Sequence, residues 1–388
     1  MKKIPQARLI GDTCMEFSRA TVAFPAELDD LRDWASVSSA GFYRVALLIP
    51  MCGSAGIWAP SCISSAQLAV AEINRGNGIN GRQVQLIMID SALEAKVPVE
   101  ETVNDLIEAN AIDAIVGMHI SAIRQRLSKV VRQRVPYVYT PLYEGGENTP
   151  GIFAIGETPH EQLGPAMETL QKQFRPKRWA LIGNDYVWPH TSHSYAKTKL
   201  KELGVGLCYE RYLPFGVRNM SHYVDEIAHS GADALLISLV GQDAVTFNRA
   251  FGAAGLDGKM IRLSCCIEEN GLLACGDRNL KRFFSSASYF GSLRTEGNCA
   301  FKESYYSLHG DEAPVLNVIG QSTYEGVHYL AALIGDKSCD WRGHNALSGS
   351  AFRYRSVKRM FSPKRSVDRA PIYLARAEGI MFEVIKQI

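Results

Sequence analysis

Short apolar runs alternate with segments of helical periodicity almost without a break from Arg44 to Leu263, and few folds accommodate that alternation. The runs Val45–Ile49, Val84–Asp90, Asp113–Gly117, Tyr137–Thr140 and Ile152–Ile155 are each separated by a helical stretch or a loop. The first helical stretch carries Ile63, Ala66, Ala69, Val70 and Ile73; the next two span Val99–Glu108 and Ser121–Arg134. Continuous apolar runs of this length read as strands buried on both faces, and strands alternating with helices imply a parallel sheet covered on each side.

The alternation then repeats itself. Pro141–Pro150 breaks the pattern with Pro, Gly and Asn, after which strands over Arg178–Gly183, Gly206–Leu213, Asp233–Val240 and Met260–Leu263 follow helices over Glu161–Phe174, His190–Leu203, Ser221–His229 and Asp243–Ala254. Ile112–Gly117 and Ala232–Ile237 enter their strands with similar residues. A further strand is expected over Arg282–Phe290, helices near Asn298–Leu308 and Gln321–Leu333, and closing strands near Ala351–Arg355, Ile372–Arg376 and Met381–Ile385. The fold class expected is α/β, with two Rossmann-like lobes on parallel-sheet cores joined by hinge crossings. Residues 43–156 with 291–340 form the first lobe and 157–290 with 341–388 the second. Residues 1–42, with a short helix near Glu27–Trp34, read as an extension outside the core.

Charge and cysteine usage narrow the function. A formal charge of +2 with scattered basic residues gives no electrostatic reason to expect nucleic acid, and no apolar run reaches the roughly 20 residues that span a bilayer. Only Arg353–Arg369 is locally basic, which reads as a solvated surface before it reads as a docking site. The nine cysteines form an odd set without a Cys-x-x-Cys pair, and the residues after Met1-Lys2-Lys3 supply no apolar core of a secretory signal. Both point to a cytoplasmic protein with reduced thiols, a periplasmic one being the alternative.

Catalytic and cofactor motifs are missing: there is no GxGxxG, Walker loop, GxSxG or HExxH. No enzyme, cofactor or metal site is expected. His190 and His193 lie one helical turn apart without a third ligand at suitable spacing, and of the adjacent Cys265 and Cys266 at most one can face a cleft. Polar and aromatic residues do collect at strand ends, where ligands bind in open α/β sheets. The first lobe offers Ser54, His119, Ser121, Tyr139, Thr140 and Tyr143, and the second Tyr186, Trp188, Gly241, Ser264 and Cys265. Taken alone, Gly183–Pro189 reads either as a cleft rim or as an ordinary strand-to-helix turn. Hydroxyls and aromatics with few full charges suit a small neutral polar ligand better than a phosphate.

Five stretches carry a family resemblance: GNDYVWPHTSH (Gly183–His193), TPLYEGGENTP (Thr140–Pro150), LAVAEINRGNGINGRQV (Leu68–Val84), SLVGQDAV (Ser238–Val245) and YFGSL (Tyr289–Leu293). In order and spacing the chain, over residues 43–340, resembles the short-chain amide and urea receptors of the type I periplasmic-binding-protein fold, and most closely the cytoplasmic amide sensors that control aliphatic amidase operons. The resemblance implies a ligand held between the lobes by His119, Ser121, Tyr139, Tyr186 and Trp188, with a hydroxyl from the Ser264 segment. Histidine at 119 and the larger indole at 188 depart from the family pattern and reshape the pocket.

The resemblance implies a sensor whose lobes close on an amide or urea and change affinity for a regulator protein. Its alternative is a receptor that delivers urea, short-chain amides or branched-chain amino acids to an ABC permease. Neither reading needs direct contact with nucleic acid or insertion into a membrane, and a homo-oligomer is compatible with both.

Overall fold

The structure is a computed structural model that describes residues 21–22, 41–337, 339–343, 356 and 370–388. The chain builds a first sheet from β1 (Thr21–Val22), β2 (Phe42–Ile49), β3 (Gln83–Asp90), β4 (Ala114–Gly117), β5 (Tyr137–Tyr139) and β6 (Ile152–Ala154). Their spatial order is β1-β3-β2-β4-β5-β6, parallel throughout. Helices α1 (Ala59–Arg75), α2 (Val99–Glu108) and α3 (Ser121–Val131) connect these strands. β2 lies between two neighbours and is covered on both faces, which is why Tyr43 to Ile49 are all buried.

After β6 the chain crosses into a second sheet. Helix α4 (Pro159–Phe174) leads to β7 (Arg178–Asn184), α5 (Val187–Glu202), β8 (Gly206–Leu213), α6 (Ser221–His229), β9 (Ala234–Ser238), α7 (Gln242–Ala253), β10 (Ile261–Ser264), α8 (Glu269–Cys275) and β11 (Phe283–Ala287). It then returns to the first sheet with α9 (Glu296–His309) and α10 (Val318–Gly335), which pack on α1, α10 also reaching β4 and β5. The hairpin β12 (Tyr373–Glu378) and β13 (Met381–Gln387) finally extends the second sheet, whose order is β13-β12-β11-β10-β9-β7-β8. β7 to β11 run parallel and the hairpin antiparallel. The fold is the expected one: two α/β lobes on parallel-sheet cores. On this sheet membership we propose the lobe limits stated above.

In each lobe the strand order reverses beside the first strand. β2 is flanked by β3 and β4, and β7 by β8 and β9. Such reversals open a crevice at the carboxyl ends of the strands. The segments that leave those ends are Pro50–Trp58 and Met118–Ser121 in one lobe and Asp185–Trp188 and Leu239–Gly241 in the other.

Several local expectations are corrected. Thr21–Val22 pair with Leu86 and Ile87, so part of the extension covers the edge that β3 would otherwise expose. Helix α5 begins at Val187, three residues earlier than the expected start at His190, so Pro189 lies within its first turn and Trp188 belongs to that turn as well. The strand expected over Arg282–Phe290 is only Phe283–Ala287, and helix α8 is unforeseen because seven residues carry too little periodicity. The helix near Glu27–Trp34, the strand near Ala351–Arg355 and all of the basic Arg353–Arg369 stretch except Ser356 lie outside the described residues. Among those described, no helix is long and apolar enough to cross a membrane.

Candidate ligand site

The crevice is built first by the turn from β4 into α3. His119 is buried there, with Nδ1 at 3.2 Å from the Ile120 carbonyl oxygen and Nε2 at 2.8 Å from the Tyr137 hydroxyl. A carbonyl only accepts, so Nδ1 carries the proton and Nε2 accepts from Tyr137. Burial pushes the His119 pKa down to about 3, and the ring is neutral. Tyr139 donates its proton to the His119 carbonyl at 2.7 Å, which leaves its oxygen to accept; Ser121 Oγ stands 3.4 Å away. Burial raises the Tyr139 hydroxyl well above the usual phenol range.

Arg124, one turn into α3, holds the next wall. Its guanidinium pairs with Glu144 and Glu147 and lies over the rings of Tyr139 and Tyr143 at 5.5 and 5.6 Å. All three charged side chains are shielded from water, so the Pro141–Pro150 loop is fastened to α3 by ions that would be costly to leave unpaired. Pro141 and Leu142 of that loop face the crevice.

The second lobe contributes Tyr186 and Trp188 from the start of α5, Val240 from the end of β9 and Cys266 after β10. Trp188 is buried, and its Nε1–H has no hydrogen-bond partner among the described residues. Together with Trp58, Met118, His119, Ile120, Ser121, Tyr139, Pro141, Leu142 and Ile319 these residues enclose a cavity of about 340 Å³, its mouth included. No lining side chain carries a full charge.

The lobes are closed on this cavity. Trp58 Nε1–H donates to Glu268 Oε1 at 2.8 Å, and Asn270 Nδ2 donates to the Ile57 carbonyl at 3.3 Å. Gly241 has φ +51°, and a Cβ there would stand 2.0 Å from the Ser54 carbonyl oxygen, so only glycine allows the lobes to meet at this point. Burial pushes Glu268 up to about 7 and Glu269 up to about 8, against the backbone N–H groups that lower both.

Of the residues expected at the site, the structure gathers His119, Ser121, Tyr139, Tyr186 and Trp188 around one cavity. Ser54 instead borders a smaller void with Pro50, Leu93 and Phe215, and Gly241 backs onto it. Thr140 is buried and donates to the Gly117 carbonyl at 3.3 Å, while Tyr143 meets Tyr139 edge-on at 6.3 Å without lining the cavity. Ser264 is buried and accepts from the Cys266 N–H at 3.3 Å. Cys266 rather than the expected Cys265 lines this cavity, and Cys265 lines a separate void behind Trp188 with Gln162 and Ser192. Trp58, absent from the expected set, follows β2 as Tyr186 follows β7, and an aromatic in that loop was the signal that could have found it.

The two helical histidines serve elsewhere. His190 Nε2 lies 2.7 Å from Asp185 Oδ1 and its ring stacks on Tyr212 at 3.8 Å, while His193 is fully buried. Among the described residues no three His, Cys, Asp or Glu side chains gather as a metal site, and the eight described cysteines are unpaired.

Residues 43–342 match the periplasmic binding proteins as a family. The chain belongs to that family. A solute-binding protein of an ABC transporter from R. palustris, solved with 4-hydroxybenzoate, superposes with a TM-score of 0.76 at 19% identity, over 89% of this chain and 96% of the other. A branched-chain amino acid transporter substrate-binding protein from Streptococcus pneumoniae, solved with isoleucine, gives 0.76 at 14% identity, over 89% and 99%. An amino acid binding protein of Pseudomonas aeruginosa is 24% identical over 200 residues, 50% of this chain and 53% of that relative, so the match spans about half its length. The likeness to the solved structures carries the two-lobe type I binding-protein fold.

Proposed function

We propose that this chain is the substrate-binding receptor of an ABC-type uptake system, and that its ligand is a compact carboxylic acid with an aromatic or branched apolar body and no ammonium group. One observation carries the ligand class: the closed cavity is walled by Trp58, Tyr139, Tyr186 and Trp188, and no charged side chain lines it. Rings and branched chains fill such walls. The Ser121 hydroxyl, the first turn of α3 and the unpartnered Trp188 Nε1–H are donors for a carboxylate. An α-amino acid would also bring an ammonium group. Glu268, the acid that bonds the Trp58 wall, already accepts three N–H groups, from Trp58, Asn270 and Gly271. The bound ligands of the relatives, an aromatic acid and a branched amino acid, bracket this class.

A second reading has its own support. Tyr139, its proton committed to His119, accepts beside the Ser121 hydroxyl, and that pair fits an amide. A cytoplasmic amide or urea sensor acting on a regulator would use it so, without turnover of the amide. The family is better represented by transport receptors, which favours the first reading and a site of action outside the cytoplasm.

Isothermal titration calorimetry of the purified chain with benzoate, 4-hydroxybenzoate, isoleucine and acetamide tests both. Binding of a benzoate with no heat from isoleucine or acetamide is the expected result. Acetamide binding, together with recovery of the protein only in the cytosolic fraction, would put the sensor in its place.

A further inference from the structure

One wall of the cavity is held from the opposite lobe. Trp58 lines the cavity from the turn Ser54–Trp58, and its Nε1–H bonds Glu268, a residue 210 positions away at the start of α8 in the other lobe. Glu268 is only 2% exposed. The same carboxyl group caps α8 by accepting the N–H groups of Asn270 at 2.6 Å and Gly271 at 3.2 Å. Its neighbours extend the grip in both directions. Asn270 donates to the Ile57 carbonyl, and Glu269 accepts the Gly291 N–H at 2.7 Å, in the crossing between β11 and α9. The step Glu268–Asn270 is thus tied to the cavity wall of one lobe and to a crossing between the lobes.

We propose that Glu268 is the latch of lobe closure: it positions the Trp58 wall from across the cleft and sets ligand affinity without touching ligand. The inference rests on the cleft being the ligand site. Inside the closed protein three N–H donors hold the carboxyl group against the cost of its burial; parting the lobes removes the indole donor and substitutes water. Closure and the position of Trp58 are therefore one event.

Cys266 gives a readout that needs no ligand. It lines the same cavity, is 3% exposed, and becomes reachable when the lobes part. Its alkylation by iodoacetamide, followed by peptide mass spectrometry, is expected to quicken about tenfold in Glu268→Ala, the size set by loss of a hydrogen bond to a charged group. Because that change also uncaps α8, Trp58→Phe cuts the same bond from the other side with the cap intact. The latch requires Trp58→Phe to label at a raised rate and the double variant to label no faster than Glu268→Ala alone, and Glu268→Gln, which keeps an oxygen for the indole, to recover most of the protection. A fast Glu268→Ala beside a Trp58→Phe that labels like the wild type would reduce Glu268 to a helix cap and overturn the proposal. With benzoate as probe, Glu268→Ala should weaken binding by the factor its labelling rises. A wild type that binds none of the probes would sink the functional reading while the labelling cycle still decides the latch.

Discussion

Lowering the pH from 7 to 5 should drain stability from the first lobe at a rate set by His119. The ring is 2% exposed, and burial holds its folded pKa at about 3; an unfolded histidine titrates near 6.5. Above about pH 6.5 neither state is protonated and the full stability is present. Between about 6.5 and 3 the unfolded chain binds the proton and the folded chain does not, so stability falls by about 1.4 kcal/mol per pH unit. Across pH 7 to 5 the loss is about 2 kcal/mol, and across the whole window on the order of 4–5 kcal/mol. Below about pH 3 both states are protonated and the loss stops. Urea unfolding of the wild type and of His119→Gln at pH 7, 6 and 5 isolates the effect, because glutamine keeps a donor and an acceptor but does not titrate. His193, pushed down to about 4 mainly by burial, is present in both proteins and cancels in the difference. Parallel stability curves for the two proteins, or a His119 ring-proton titration by NMR with a midpoint near 6.5, would refute the reasoning.

Trp188→Tyr shrinks one wall of the cavity and should weaken benzoate binding several-fold while lowering stability by about 1–3 kcal/mol, as calorimetry and thermal unfolding would read; an unchanged order of preference among the four probes would mean that the indole does not set the pocket. Gly241→Ala places a Cβ where the Ser54 carbonyl stands and strains a backbone at φ +51°. It should hold the lobes apart, with at least about tenfold weaker binding and a larger radius by small-angle scattering; wild-type affinity and radius would show that closure does not pass through this contact.

The lobes were legible because each strand and helix announces itself within about ten residues. α2, β8 and α6 fall on the residues the pattern predicts, since their apolar spacing is regular and their ends carry turn residues. What escaped was set by pairs far apart in the chain. The Trp58–Glu268 bond spans 210 positions, and nothing local marks either residue as the other's partner. Val240 and Ile319 line the cavity but read in sequence like any core residue. Cys265 and Cys266 border different voids from the bend that follows β10, a turn whose course the sequence does not mark. Thr21–Val22 is too short for any periodicity, and only the open edge of β3 explains it.

A cavity without charge, set among buried charges, shows how selectivity can work here. Arg124 spends its charge on Glu144 and Glu147, and Glu268 spends its own on an indole and two backbone N–H groups. These groups fix walls of the proposed ligand cavity: Arg124 the Tyr139 ring and the Leu142 loop, Glu268 the Trp58 ring. On the proposed reading a ligand carboxylate is met by neutral donors, each of which gains in strength because closure excludes water. An ammonium group in the same place would find no free anion, and its desolvation would go uncompensated. Under this proposal, discrimination between an aromatic acid and an amino acid of similar size follows less from attraction to the first than from the penalty on the second, a penalty that is largest when the Trp58 wall is latched.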